Sequence, residues 1–183
     1  MNTAAHDDSR TDQQLVDAIN DGEVGAFDVL YWRYRDWVVR LAHRFSGNAE
    51  DTLDVLQDTF TYFYRRFPGF SLTSRLSTFL YPVVKNLALA ARRKSGRFAS
   101  DDPIVAQLPA DQPDNALGLD FPAILADLSP IHREVLLMRF VDDMTIDEIA
   151  HALHIPSGTA KSRLHNAVEA LRNDPRTRSL CQA

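Results

Sequence analysis

The chain has 183 residues, 45% of them hydrophobic, enough for one medium domain or two small ones with modest cores. Its formal net charge of −5 argues against a protein that grips naked duplex on its own, because such affinity comes mostly from phosphate neutralisation. With 7 glycines, no phosphate-cradling Gly loop, no metal-ligand cluster and no nucleophile signature, it offers little to an enzyme, and no cofactor or metal is expected.

The opening MNTAAHDDSRTDQQ is polar and acidic rather than basic and then apolar, so it does not read as a leader. No run approaches the roughly 18 apolar residues of a membrane span. The single cysteine, Cys181, cannot form an internal disulfide, which fits a reducing compartment. A cytoplasmic protein without membrane insertion is expected.

Residues 10 to 96 carry a nearly continuous helical pattern. In the segment GAFDVLYWRYRDWVVRLAHRF, Trp32, Tyr34 and Trp37 crowd one helix beside Phe27, Leu30, Tyr31, Val38 and Leu41. Aromatic side chains dominate core burial, so core or interdomain packing is favoured here over a stacking surface. In the following helix Asp54, Gln57 and Asp58 share one face by their i, i+3, i+4 spacing, while Val55, Leu56, Thr59, Phe60 and Phe63 fill the remainder. Pro68-Gly69 is expected to end that helix, and Phe70 to Ser74 to form a short polar loop. The next helix has Pro82 as an awkward interior residue and finishes in Arg92, Arg93, Lys94 and Arg97. Those cations can track a single-stranded backbone or simply complement the helix macrodipole.

Residues 97 to 122 alternate Asp101, Asp102, Asp111, Asp114 and Asp120 with Pro103, Pro109, Pro113 and Pro122, with little hydrophobic periodicity. They read as a flexible acidic linker before a second helical domain at 123 to 173. Within that domain Met144 to Leu171 has the pattern of a helix-turn-helix. Thr145 and Glu148 can form a capping box, and Ile149, Ala150 and Leu153 supply the buried side of the first helix. Ile155-Pro156 breaks the run, and a second helix restarts with Pro156 as its first residue or Ser157 as its cap. There Ala160, Leu164, Ala167, Val168 and Leu171 face inward. Ser162, His165, Asn166 and Glu169 face outward, with Lys161 and Arg163 at the margins. A small polar face flanked by cations suits a major groove, although an ordinary amphipathic hairpin would share the pattern. His151 and His154, three apart and without a matching Cys or carboxylate set, read as surface histidines rather than metal ligands.

DVLQDTF (Asp54 to Phe60), the aromatic loop after it and SPIHREVLLMRFVDDMTIDEIAHALHIPSGTAKSRLHNA (Ser129 to Ala167), in this order across a linker, resemble the sigma-70 superfamily of bacterial RNA polymerase initiation factors, specifically its extracytoplasmic-function group. The resemblance implies an all-α fold of two small helical domains, the second a helix-turn-helix. It also implies a transcription initiation factor that binds core RNA polymerase, selects promoter DNA and helps melt it. Residue by residue, it implies that Asp54, Gln57 and Asp58 dock on the coiled coil of the polymerase clamp. The loop residues Phe70 and Ser71, with Asn86 and the cluster Arg92, Arg93 and Lys94, would serve the minus-10 element and its non-template strand. Thr159, Lys161, Ser162, Arg163, His165 and Asn166 would serve the minus-35 element. An anti-sigma factor is a further partner that such an architecture accommodates. Thr78-Phe79-Leu80 stands where the family commonly has Thr-Trp-Leu, and Asn166 where many members have Arg, so neither promoter sequence carries over. The competing reading is a free-standing helix-turn-helix regulator that binds DNA as a dimer, with residues 10 to 96 as a ligand or dimerisation domain. The DVLQDTF-like helix and its aromatic loop favour the initiation factor.

Overall fold

A computed structural model of the chain describes residues 8–96 and 121–177, and every regular element among them is an α-helix. The chain divides at Arg97 into two compact units. The acidic segment expected as a linker lies outside the described residues except for Phe121 and Pro122, which open a helix; Arg97 and Cys181 also lie outside.

The first unit holds α1 (Asp12–Asn20), α2 (Val24–Ser46), α3 (Ala49–Tyr64) and α4 (Leu76–Lys94). Two of these starts, those of α1 and α3, have a side-chain cap. Thr11 and Gln14 close a capping box at α1, and the Asn48 side chain accepts from the Asp51 amide at 2.8 Å at the start of α3. Helix α2 ends where Gly47 takes a left-handed conformation, φ 87°, that an L side chain resists. Helices α2, α3 and α4 pack mutually, and α1 lies on α2. Leu30, Val38, Leu41, Phe63, Leu76, Leu80 and Val84 are buried between them. Full burial of one such side chain contributes roughly 1.5–3 kcal/mol.

Two expectations need correction here. Helix α3 stops at Tyr64, and Arg65 and Arg66 turn the chain before Pro68, which therefore follows the helix end rather than causing it. The crowded aromatics of α2 do not all pack inward. Trp32 stays 41% exposed, with the Arg35 guanidinium 5.8 Å from its ring centroid and the Tyr31 ring 5.2 Å away, both from its own helix. Tyr34 instead ties α2 to α1 by donating to the Asp12 carboxylate; burial and then that carboxylate push its phenol well above the ordinary range. Pro82 stays inside α4, where flanking Tyr81 and Val84 are buried.

The second unit holds α5 (Phe121–Ala126), α6 (Pro130–Phe140), α7 (Ile146–Leu153) and α8 (Ser157–Asn173). Ser129 caps α6, and Thr145 and Glu148 close the expected capping box on α7. Ile149 and Ala150 are buried as expected, but Ala152 takes the inward place given to Leu153, which is half-buried. His154 ends α7 in the left-handed region, φ 53°. Pro156 is the cap of α8 and Ser157 its first residue, the reverse of both expected assignments. The Ser157 hydroxyl donates to Asp147 at 2.8 Å and so links the first turns of α7 and α8.

Arg133, on α6, is 2% exposed. Its Nε donates to the Leu125 carbonyl at 2.5 Å, and its Nη2 to those of Ala126 and Leu128 at 2.8 and 2.6 Å. One guanidinium thus takes three carbonyls at and just beyond the end of α5, among them that of Leu125, which also accepts from the Leu128 amide. Arg133→Met should take this donor from those carbonyls and destabilise the second unit by about 3 kcal/mol. Arg133→Lys should recover only part, since an ammonium lacks the fork. Hydrogen exchange of the α6 to α8 amides reads the effect; unchanged protection in the Met variant would refute this role.

Candidate functional site

Three surfaces carry the residues singled out from the sequence. On α3, buried Thr52, Val55, Leu56, Thr59, Phe60 and Phe63 define the inner side, and Asp54, Gln57 and Asp58 are exposed on the opposite side. At about 100° per residue these three span little more than a quarter-turn of the helix. Beside Gln57 lies an open apolar groove between α2 and α3, lined by Phe27, Tyr31, Leu53, Leu56, Phe60 and Tyr64. Leu53 and Tyr64 are 59% and 55% exposed, which is uncommon for side chains of that size grouped together. The sequence reading did not include this groove, because its two walls come from helices that are separate in the chain.

The second surface begins at the loop. Phe70 is half-buried, with ring centroids of Phe63, Phe67 and Phe79 at 5.4, 5.6 and 4.9 Å. Ser71 is exposed. The loop backbone is held from the far end of α1: the Asn20 side chain accepts from the Gly69 amide at 2.7 Å and donates to the Phe70 carbonyl at 2.9 Å. From Phe79 the surface continues along α4. Phe79, Asn86 and Arg93 recur every seven residues, so they form one stripe with steps of about 10 Å. Asn86, Arg93 and Lys94 are exposed, and Arg92 is half-buried. The structure thus brings the loop aromatic, the amide and Arg93 onto one side of α4, with Arg92 and Lys94 fanning to either side of Arg93.

Sequence reasoning also missed Tyr62 and Arg66, at i and i+4 near the end of α3. The Tyr62 ring lies stacked with Phe79, centroids 6.3 Å apart at 22°. The Arg66 guanidinium lies 4.5 Å from the Tyr62 centroid and donates to its hydroxyl.

The third surface is the outer side of α8. Lys161, Ser162, His165 and Asn166 are exposed, and Thr159 and Arg163 are half-buried. The Ser162 hydroxyl donates to the Thr159 carbonyl at 3.1 Å. Ala160 and Ala167 are fully buried, while Leu164, Val168 and Leu171 are only half-buried. Side chains at 159, 162, 165 and 166 therefore form a compact polar patch with Lys161 and Arg163 on either flank. His151 and His154 line a shallow recess at the turn with Asp147 and Ser157. Among the described residues no group of three or more His, Cys, Asp or Glu could hold a metal ion, and no helix is long and apolar enough to cross a membrane.

Comparison with known proteins matches both units. The family described as sigma-70 region 2 matches residues 30–98, and sigma-70 region 4 matches residues 124–173. The ECF RNA polymerase sigma factor SigW of Bacillus subtilis is 27% identical over 180 residues, covering 90% of this chain and 96% of that one. The RNA polymerase sigma-H factor of Pseudomonas aeruginosa is 30% identical over 176 residues, covering 87% and 91%. In fold, the chain is similar to the sigma factor RpoE of Bartonella quintana, solved with the anti-sigma factor NepR. That likeness has a TM-score of 0.62 at 23% identity and covers 81% of this chain and 96% of that one.

Asn20 is the polar clamp on the loop that presents Phe70. Asn20→Ala should leave the Gly69 amide and the Phe70 carbonyl without these partners and cost the loop about 1–2 kcal/mol of local stability. Faster exchange of the Gly69 amide, with the α2 and α3 cores unchanged, is the expected result; equal exchange in variant and parent would remove Asn20 from this role.

Proposed function

Because the chain belongs to the sigma-70 family of RNA polymerase initiation factors, in its extracytoplasmic-function group, we propose that its three surfaces divide the work of promoter opening. A member of this family is a transcription initiation factor that binds core RNA polymerase and directs it to promoters. The finer assignments are as follows. Residues 10–96 bind core polymerase and handle the minus-10 element, 97–120 form the linker, and the helices from Phe121 to Asn173 read the minus-35 element. The acidic side of α3, with Asp54, Gln57 and Asp58, takes the polymerase clamp, and its adjoining groove adds apolar area. Phe70, Ser71 and Asn86, followed by Arg92, Arg93 and Lys94, take the minus-10 segment as single strand. Aromatic platforms receive unstacked bases, amides pair with base edges, and cations follow the backbone. Thr159, Ser162, His165 and Asn166 enter the major groove upstream, with Lys161 and Arg163 on phosphates.

The observation that carries this reading is the stripe from Phe70 through Phe79 and Asn86 to Arg93, on a unit that also bears a separate acidic face. A dimeric regulator with a ligand-binding first domain has no use for that arrangement. The protein acts without catalytic chemistry of its own, in the cytoplasm, and an anti-sigma factor that covers the same surfaces is a fitting regulator. The deciding experiment is transcription from a promoter library with purified core polymerase, with and without the protein. Selective initiation at sites sharing two spaced elements is the expected result. Tight binding of the protein alone to palindromic DNA, without stimulation, favours the regulator.

Two variants separate the surfaces. Asp54→Ala with Gln57→Ala should weaken core binding about tenfold in competition with the parent while leaving helical content unchanged. Undiminished core affinity would count against the clamp assignment. Lys161→Ala with Arg163→Ala should spare core binding, lower initiation at promoters that depend on the upstream element, and reduce the salt dependence of their binding by roughly two phosphate contacts. An unaltered salt slope would take these cations off the phosphates.

A further inference from the structure

We propose that Tyr62, with Arg66, is an additional stacking site for an unstacked base of the non-template strand, distinct from the residues assigned above and resting on the initiation-factor reading. Tyr62 is 38% exposed although it stacks with Phe79, so one part of its ring is packed and another faces solvent. Phe79 in turn contacts Phe70 and begins the stripe along α4. Arg66, Tyr62, Phe79 and Phe70 therefore form a continuous ladder that extends the proposed strand path by one ring beyond the loop, onto the last turn of α3.

The position on α3 sets Tyr62 at the margin of the polymerase face. At about 100° per residue it lies about 40° beyond Asp58, on the side where it meets Phe79 of α4, whereas Leu53, Gln57 and Tyr64 lie on the α2 side. Charge selects the occupant. Arg65 and Arg66 are both exposed at the ladder's open end. An aromatic plate with cations suits a nucleic-acid base and its phosphate, since every base has a face to stack and a backbone charge beside it. In the free protein the Arg66 guanidinium lies over the Tyr62 ring, in the place a base would take. Arrival of a base displaces the guanidinium from the ring toward the adjoining phosphate, so one cation serves both states.

The test uses holoenzyme assembled from core polymerase and the full chain, with promoter DNA that carries a preformed bubble and 2-aminopurine at successive non-template positions. Tyr62→Ala should weaken bubble binding about tenfold and relieve fluorescence quenching at one position at the bubble's edge. Tyr62→Phe should retain both, since the ring alone stacks. Arg66→Ala should leave the quenching and lower the salt slope by nearly one phosphate contact. If Tyr62→Ala holoenzyme assembles, selects the promoter and binds the bubble as the parent does, this site is overturned and the initiation-factor reading stands. If Tyr62→Ala instead loses affinity for core polymerase, the ladder is a protein contact and the proposal is wrong. A parent protein that gives no promoter selection with core polymerase overturns both.

Discussion

Everything the first unit presents to its surroundings is registered on the ring of Phe63. It is fully buried on the inner side of α3, with Phe27, Phe67, Phe70 and Phe79 at centroid distances of 5.6, 5.3, 5.4 and 5.9 Å. Those partners come from α2, from the first half of the loop and from α4. Each such pair contributes roughly 0.5–1.5 kcal/mol beyond the area it buries. The larger consequence is geometric, because close-packed rings transmit a displacement rather than absorb it. Phe27 lines the groove on one side of α3, and Phe70 and Phe79 begin the stripe on the other. A loop from 65 to 75, with no helix of its own, keeps one shape because rings hold its inner side and Asn20 holds its backbone.

The second unit solves a different problem. Its buried residues are mostly aliphatic and small, such as Ile124, Val135, Met138, Ile149, Ala160 and Ala167, and Phe140 is exposed. A core that thin cannot order the short α5 by apolar contact alone. Arg133 supplies the difference with three carbonyl contacts, and Arg139 repeats the device by donating to the Met144 carbonyl at 3.0 Å. Burying a guanidinium is costly, but each hydrogen bond to it is stronger than a neutral one, and it reaches carbonyls at a helix end where intrahelical donors run out. Alanines at 160 and 167 let α8 seat closely, so a helix of modest apolar content can turn a wholly polar side outward.

What was legible in the sequence was local. The outward set of α3, the outward patch of α8 and the capping box at Thr145 follow from periods and spacings within a few residues, and the first two carry most of the assigned contacts. What escaped was set by tertiary position. Asn20 lies 50 residues from Phe70, with no local signal that the two will meet. Arg133 reads as a surface charge on composition alone, and only the open end of α5 makes its burial favourable. Trp32 reads as a packing residue among so many aromatics, yet in the first unit it is covered only in part, by Tyr31 and Arg35 of its own helix. His154 adopts a left-handed end that glycine or asparagine usually signals, so the turn was visible through Pro156 and its geometry was not. Tyr62 and Arg66 were spaced as neighbours, but their meaning depends on Phe79 arriving beside them from the next helix.

An acidic chain that is asked to hold a nucleic-acid strand must keep its own carboxylates away from that strand. Helix α3 does so along its length. Glu50 and Asp51 occupy the first turn, Asp54 and Asp58 follow, and Arg65 and Arg66 come at the end. Asp54 and Tyr62 are eight residues apart, about 12 Å along the axis and beyond the Debye length of about 8 Å at physiological salt, whereas Asp58 is about 6 Å from Tyr62 and inside it. Arg65 and Arg66 therefore offset Asp58 at the ladder. The same order is the one the helix macrodipole favours, with anions near its amino end and cations near its carboxyl end. Folding and function thus ask for the same charge segregation on α3, and a net charge of −5 is no obstacle to a strand that meets only the cationic end.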